Sequence, residues 1–224
     1  MATDDRHGDG MTGLTEFQTT VARLFFGLPA SNGFLLAGGS ALLASGLTTR
    51  PTHDLDFFGG LHDVDLPAAR DQFEAALARR GWTSSRLRDT ATFVRLHVVG
   101  EDELIVEFAI DAPAGQPPVM TIVGPTFAAK ELAGRKLLAL FGRAEARDFT
   151  DVRVLALRFG RETLLEQAAA VDSGLDRYVL AEMMRSLARF TNDELPIGAD
   201  DVDELRAYFA EWADQLTGLA SGRD

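Results

Sequence analysis

The chain contains no cysteine, which excludes disulfides, thiolate metal sites and thiol nucleophiles and favours a cytoplasmic setting. It also lacks any apolar run approaching the ~18 residues that a membrane span requires. Its start, "MATDDRHGDGMTG", shows none of the basic-then-apolar order of a secretory signal. A cytoplasmic protein with no membrane association is therefore expected. Basic residues are outnumbered 22 to 34, for a formal charge of -12, which opposes non-specific adhesion to nucleic acid or anionic lipid. His7, His53, His62 and His97 show no metal-ligand spacing. There is no nucleophile elbow, no dinucleotide glycine fingerprint and no Walker-type Gly-Lys-Ser/Thr.

What is present suffices for a sizeable core: 224 residues, 46% of them hydrophobic. Residues 1–13 are polar and acidic and read as a disordered tail. From Leu14, the apolar positions Phe17, Val21, Leu24 and Phe25 recur at helical spacing, closed by Pro29, Asn32 and Gly33. Residues 34–37 form a short buried strand, Gly38 and Gly39 turn the chain, and Ser40 is placed to cap a short helix over 41–46. A strand over 55–58, an amphipathic helix over 66–80, and strands over 83–87, 92–99, 103–111 and 119–123 follow. Beyond Thr126 the pattern is helical, divided by Gly160, Gly174 and residues 196–198 into about four helices. Strands first and helices afterwards predict an α+β fold: a mixed-sheet core over 14–125 and a helical region over 126–224.

One stretch, "GGSALLASGLTTRPTHDLDFF" (residues 38–58), raises a chemical question. Asp54 and Asp56 stand at i and i+2 on a strand, so both project to one face while Leu55 and Phe57 point into the core. Like charges held together are commonly offset by a divalent cation, and oxygen-only donors select magnesium or manganese over zinc. The competing reading is an incidental Asp-x-Asp at a surface strand end. Gly39 and Ser40, at a strand-to-helix turn, add backbone N–H groups and a hydroxyl suited to phosphate oxygens. In "ELIVEFAID" the positions Leu104, Val106, Phe108 and Ile110 are apolar, and Glu103, Glu107 and Asp111 share the other face. Either Glu107 or Asp111 is placed to supply a third acid, or that face is simply a solvated edge.

These features, with "ELAGRKLLALFGRAEARDFTDV" downstream, resemble the AbiEii/AbiGii abortive-infection toxins. Those are polymerase-beta-like nucleotidyltransferases that include the MenT toxins. The resemblance spans residues 34–158 and is most specific around Lys136, Arg143, Arg147, Asp148 and Asp151. It implies metal-binding Asp54 and Asp56, joined by Glu107 or Asp111, and triphosphate contacts from Gly39, Ser40, Arg50 and Lys136. Catalytic roles fall to Asp54, Asp56, Lys136 and Asp148, supported by Arg147 and Asp151, with the helical region contributing to the active site. The implied reaction transfers NMP from an NTP to an acceptor hydroxyl, with Mg2+ or Mn2+ as cofactor. A tRNA acceptor and a cognate antitoxin are the implied partners. A small-molecule or protein acceptor, or a non-catalytic nucleotide- or partner-binding role, are the alternatives.

Two residue-level readings stand beside that resemblance. Lys136 borders the apolar stripe of Leu137, Leu140 and Phe141, so it either reaches inward or lies along the surface as a snorkelling lysine. Between residues 130 and 161, Lys130, Arg135, Lys136, Arg143, Arg147, Arg153, Arg158 and Arg161 outnumber Glu131, Glu145, Asp148 and Asp151. That segment could hold phosphates of a nucleotide or RNA, or be a helix face laced with i to i+4 pairs.

Overall fold

A computed structural model describes residues 13–218; most of the expected N-terminal tail lies outside the described residues. The chain divides into two compact units, residues 1–128 and 129–224.

In the first unit, helix α1 (Glu16–Phe26) opens with a capping box in which Thr15 and Gln18 exchange side-chain and backbone hydrogen bonds. Strand β1 (Leu35–Ala37), helix α2 (Gly38–Ala44), strand β2 (Asp54–Gly60) and helix α3 (Leu66–Arg79) follow. The rest are strands: β3 (Thr83–Asp89), β4 (Phe93–Val99), β5 (Glu103–Asp111), β6 (Val119–Met120) and β7 (Pro125–Thr126). They form a single mixed sheet in the order β3-β4-β5-β2-β1-β7-β6. Pairs β2–β5 and β1–β7 are parallel and the other pairs antiparallel.

One face of this sheet is the core. Leu55, Phe57, Val94, Leu96, Val106 and Phe108 are fully buried there. The Phe25 ring sits 4.4 to 5.7 Å from those of Phe34, Phe57, Phe73 and Phe108. Each such burial contributes roughly 1.5–3 kcal/mol. The alternate residues, Asp54, Asp56, Glu107 and Arg95 among them, are turned to the other face, as the period of two demands.

Two local expectations are corrected. Helix α2 begins at Gly38, with Ala37 as its N-cap; Ser40 therefore lies inside the first turn, where its hydroxyl donates to the Ala37 carbonyl at 3.0 Å instead of capping. Of the segment expected as one strand over 119–123, only Val119 and Met120 are strand (β6), and the next strand, β7, begins beyond it at Pro125. Thr121 turns the chain between them, its hydroxyl donating to the Gly124 carbonyl at 2.7 Å.

The second unit holds helices α4 (Ala129–Gly142), α5 (Ala146–Phe159), α6 (Arg161–Val171), α7 (Arg177–Arg185) and α8 (Val202–Thr217). That is one more than the breaker residues indicated, because residues 143–145 separate α4 from α5 without proline or a glycine in the turn. Ala144 makes this turn at φ 47°, and its carbonyl accepts from Arg189. Gly134 lets α4 approach α6 closely: a Cβ there would stand 2.6 Å from the Gln167 carbonyl carbon. Phe149, Leu180, Phe209 and Trp212 form the buried centre.

Candidate active site

In the first unit, the end of β1, the start of α2 and the start of β2 meet because β1 and β2 pair antiparallel with Ala37 opposite Asp56. Gly38 follows at φ +60°. A Cβ on it would stand 1.7 Å from Asp56 Oδ2, so any other residue would both strain this φ and displace that carboxylate. Gly39 lies under the next two groups: its absent Cβ would be 2.9 Å from Thr52 Oγ1 and 3.5 Å from an Arg50 guanidinium nitrogen. The Thr52 hydroxyl donates to Asp54 Oδ1. The Thr52 carbonyl accepts from the buried Gln18 side chain at 2.8 Å, tying the approach to β2 onto α1. Gly38, Gly39, Arg50, Thr52, Asp54 and Asp56 thus form one constellation. Ser40 stands behind it, with no exposed surface and its hydroxyl spent on the backbone. Helix α2 spans only seven residues, so its dipole adds little and Arg50 is the principal cation beside the turn.

The parallel pairing of β2 with β5 ranks the two further acids by position. Glu107 is the register partner of Asp56, whereas Asp111 is opposite Gly60, at the far end of both strands. Four residues along a strand is about 13 Å. Asp111 also turns back to accept from the Ala112 N–H at 2.8 Å. Glu107 meets Arg95 from the neighbouring β4, Nε to Oε1 at 3.2 Å.

In the second unit, Lys136 is not a surface lysine. Its side chain is 7% exposed, and its ammonium lies 2.9 Å from both Asp148 and Asp151. Arg143 adds bonds of 3.0 and 3.2 Å to the two Asp148 oxygens, and the Glu145 N–H donates to the same carboxylate at 3.1 Å as half of the α5 capping box. Burial, the largest influence on Asp148, pushes its pKa up. The Arg143 and Lys136 charges and their hydrogen bonds together outweigh it and hold the group below its ordinary value. Arg147 pairs outside this cluster, with Glu145 at 2.9 Å.

The basic segment is extensively neutralised. Arg135 pairs with Glu131, Arg153 with Glu204 and Arg161 with Glu211, so the acid-rich last helix supplies counter-charges that lie far away in the chain. This arrangement favours the paired-face reading of residues 130–161 over a phosphate-holding one.

The sequence profile of the nucleotidyl transferase AbiEii toxin family, of type IV toxin–antitoxin systems, matches residues 23–219. The chain belongs to the AbiEii family. It is accordingly a nucleotidyltransferase of the toxin class. Among solved structures it is similar to MenT4, a nucleotidyltransferase toxin of Mycobacterium tuberculosis H37Rv, with 20% identity and a TM-score of 0.60. The match covers 90% of this chain and 82% of that one. It is also similar to JHP933 of Helicobacter pylori, with 20% identity and a TM-score of 0.58, over 93% and 97% of the two chains. At that identity both attest the fold. No curated protein matches the sequence significantly.

An AbiEii nucleotidyltransferase uses an NTP and is expected to work with a divalent cation, and the donor set can be tested for fit. Among the described residues no three His, Asp or Glu side chains are grouped to hold an ion. A magnesium-type ion does not require three: it is commonly held by one or two carboxylates, with water and substrate phosphate oxygens filling the shell. Asp54 and Asp56, hard oxygens on one face beside a glycine-cleared turn, fit that pattern.

Three contributors escaped the sequence reading. Gly38 was legible only as a turn residue, Thr52 is an ordinary polar residue until its bond to Asp54 is seen, and Arg95 sits in a strand whose partner no spacing rule identifies. The "RPTHDLD" spacing held the one available signal for Thr52, since a residue two before Asp54 shares its face on an extended chain. No helix among the described residues is long and apolar enough to cross a membrane.

Proposed function

We propose that this AbiEii nucleotidyltransferase transfers NMP from an NTP to an acceptor hydroxyl in a metal-dependent reaction centred on Asp54 and Asp56, with RNA, tRNA in particular, as acceptor. The observation that carries the reading is the steric match between Gly38 and Asp56. A turn cleared of side-chain atoms so that a carboxylate can meet it is costly to maintain for structure alone, since glycine there forfeits backbone entropy. It makes sense where a triphosphate must approach both backbone and acid.

In this reading Arg50 and the backbone around Gly39 orient the triphosphate, with Ser40 stiffening the turn from behind. Asp54, fixed by Thr52, and Asp56, fixed by Gly38, hold the cation, with Glu107, the register partner of Asp56, as the neighbouring acid that adds to the negative field there. Bound there, the cation would neutralise charge on the phosphates and the attacking oxygen. The acceptor oxygen bonds to the α-phosphorus in line as the bond to the β-phosphate breaks; pyrophosphate leaves and the hydroxyl proton passes to solvent. Lys136, Asp148 and Asp151 brace α4 against α5, with Arg147 at the rim; a phosphate contact by Lys136 would require it to exchange two buried carboxylates.

The test is incubation with each labelled NTP, Mg2+ or Mn2+, and either purified total tRNA or a cell extract containing protein and small metabolites. Label in the RNA that vanishes with Asp54→Asn supports the reading. Label found instead in protein or small metabolites would overturn the acceptor, and label remaining free in every mixture would overturn the transfer.

A further inference from the structure

The sheet face that carries the acid pair continues outward as a basic strip. Register partners share a face, and across one row of the sheet they run Asp56 on β2, Glu107 on β5, Arg95 on β4 and Arg88 on β3. Neighbouring strands lie about 5 Å apart, which puts Arg95 about 10 Å and Arg88 about 15 Å from the strand of Asp56. Both arginines are exposed. Arg95 has 48% of its side chain accessible while touching Glu107. Arg88 lies over the half-exposed Phe93 ring, 5.3 Å from its centroid, and among the described residues meets no carboxylate.

The other face of the same hairpin is unlike this. Arg86 points to the core side, opposite the buried Leu96, and is held by Glu74 of α3 and by Asp89. An irregularity in the β3–β4 register between Arg86 and Arg88 sends these two arginines to opposite faces. In a chain of charge -12, two exposed cations in one row with the acid pair, Arg88 meeting no carboxylate among the described residues and Arg95 sharing only Glu107, are a specific feature.

We propose that Arg88 and Arg95, with the Phe93 ring beneath Arg88, form the surface along which the acceptor RNA strand lies, its phosphates crossing β3 and β4 so that its reacting hydroxyl reaches the acids. This rests on the transfer reading above and adds the path of the acceptor. The guanidiniums position phosphates without reading sequence, and the planar Arg88–Phe93 pair offers a stacking surface for an unpaired base. Local cation density also reconciles a polyanionic acceptor with an acidic protein.

The test uses the full chain and a fluorescein-labelled single-stranded RNA oligonucleotide with a free 3′-hydroxyl, its affinity read by anisotropy over a KCl series. Each phosphate contact on a single strand contributes about 0.7 to the slope of log K against log salt. Arg88→Gln should lower the slope by about 0.7, and Arg88→Gln/Arg95→Gln by about 1.4. Arg79→Gln makes the same charge change on α3, behind the opposite face, and should leave the slope alone. Binding of a fluorescent NTP should be retained by Arg88→Gln, and melting temperatures check the fold. A double variant with the wild-type slope, an equal loss from Arg79→Gln, or wild-type protein that does not bind the oligonucleotide each overturns the proposal. Failure of the transfer reading is seen separately: Asp54→Asn would retain transfer, whatever the salt slopes show.

Discussion

The two units each gather acids and bases, and they use them in opposite ways. In the second, Asp148 and Asp151 have 0% and 1% of their surface exposed, and Lys136 and Arg143 supply the opposing charge. Removing ions from water costs several kcal/mol each unless they are paired in good geometry, so such a cluster has little freedom to meet a substrate. In the first, Asp54 and Glu107 remain partly accessible on a sheet face, while Asp56 is buried against a turn stripped of side-chain atoms. The lesson is that a count of charged residues in a motif does not separate brace from site; their degree of compensation and burial does.

That contrast can be broken by substitution. The largest effect is expected from Asp56→Asn, which should lower NMP transfer by at least ~10²–10³-fold with little change in melting temperature; comparable losses of activity and stability would erase the distinction. Lys136→Ala is the mirror case. Leaving Asp148 and Asp151 buried without that cation should destabilise the protein by ~3–5 kcal/mol in chemical denaturation.

Gly38→Ala should come next, with transfer down roughly tenfold or more, because the new methyl group displaces the Asp56 carboxylate; the strained φ adds ~1–2 kcal/mol of destabilisation. Wild-type activity in this variant would remove the steric argument.

A pH series sharpens the second half of the comparison. The folded-state pKa of Asp148 is held below the ordinary aspartate value by Arg143 and Lys136, so its contribution to stability is present above that ordinary value and disappears as pH falls through the folded pKa. The stability gap between wild type and Asp148→Asn should therefore be widest above about pH 5 and close progressively below 3.8. A gap constant down to the lowest pH would contradict the ion-pair account. The smallest effect belongs to Asp111→Asn, expected to change transfer less than about twofold, against a clear loss for Glu107→Gln.

Much of this was legible in the sequence. The apolar spacing of α1, the alternation in β2 and β5 and the helical character beyond Thr126 are local patterns, and local patterns survive into the fold. The start of helix α2 was placed three residues too late because glycines seldom begin a helix interior, yet here Gly38 must, to admit Asp56. The break at Ala144 was missed because a buried alanine at positive φ carries no turn signature.

By itself, the order of residues determined that Asp54 and Asp56 share a face, that a glycine pair lies between β1 and the acids, and which family the chain belongs to. Those follow from backbone period and residue identity. Only the tertiary structure decided that Glu107 and not Asp111 lies beside Asp56, that Lys136 is locked between two carboxylates, and that the bases of α5 and α6 meet the acids of α8. Each depends on strand register or helix docking between segments distant in the chain, set by the summed packing of the core and not by any neighbour in sequence.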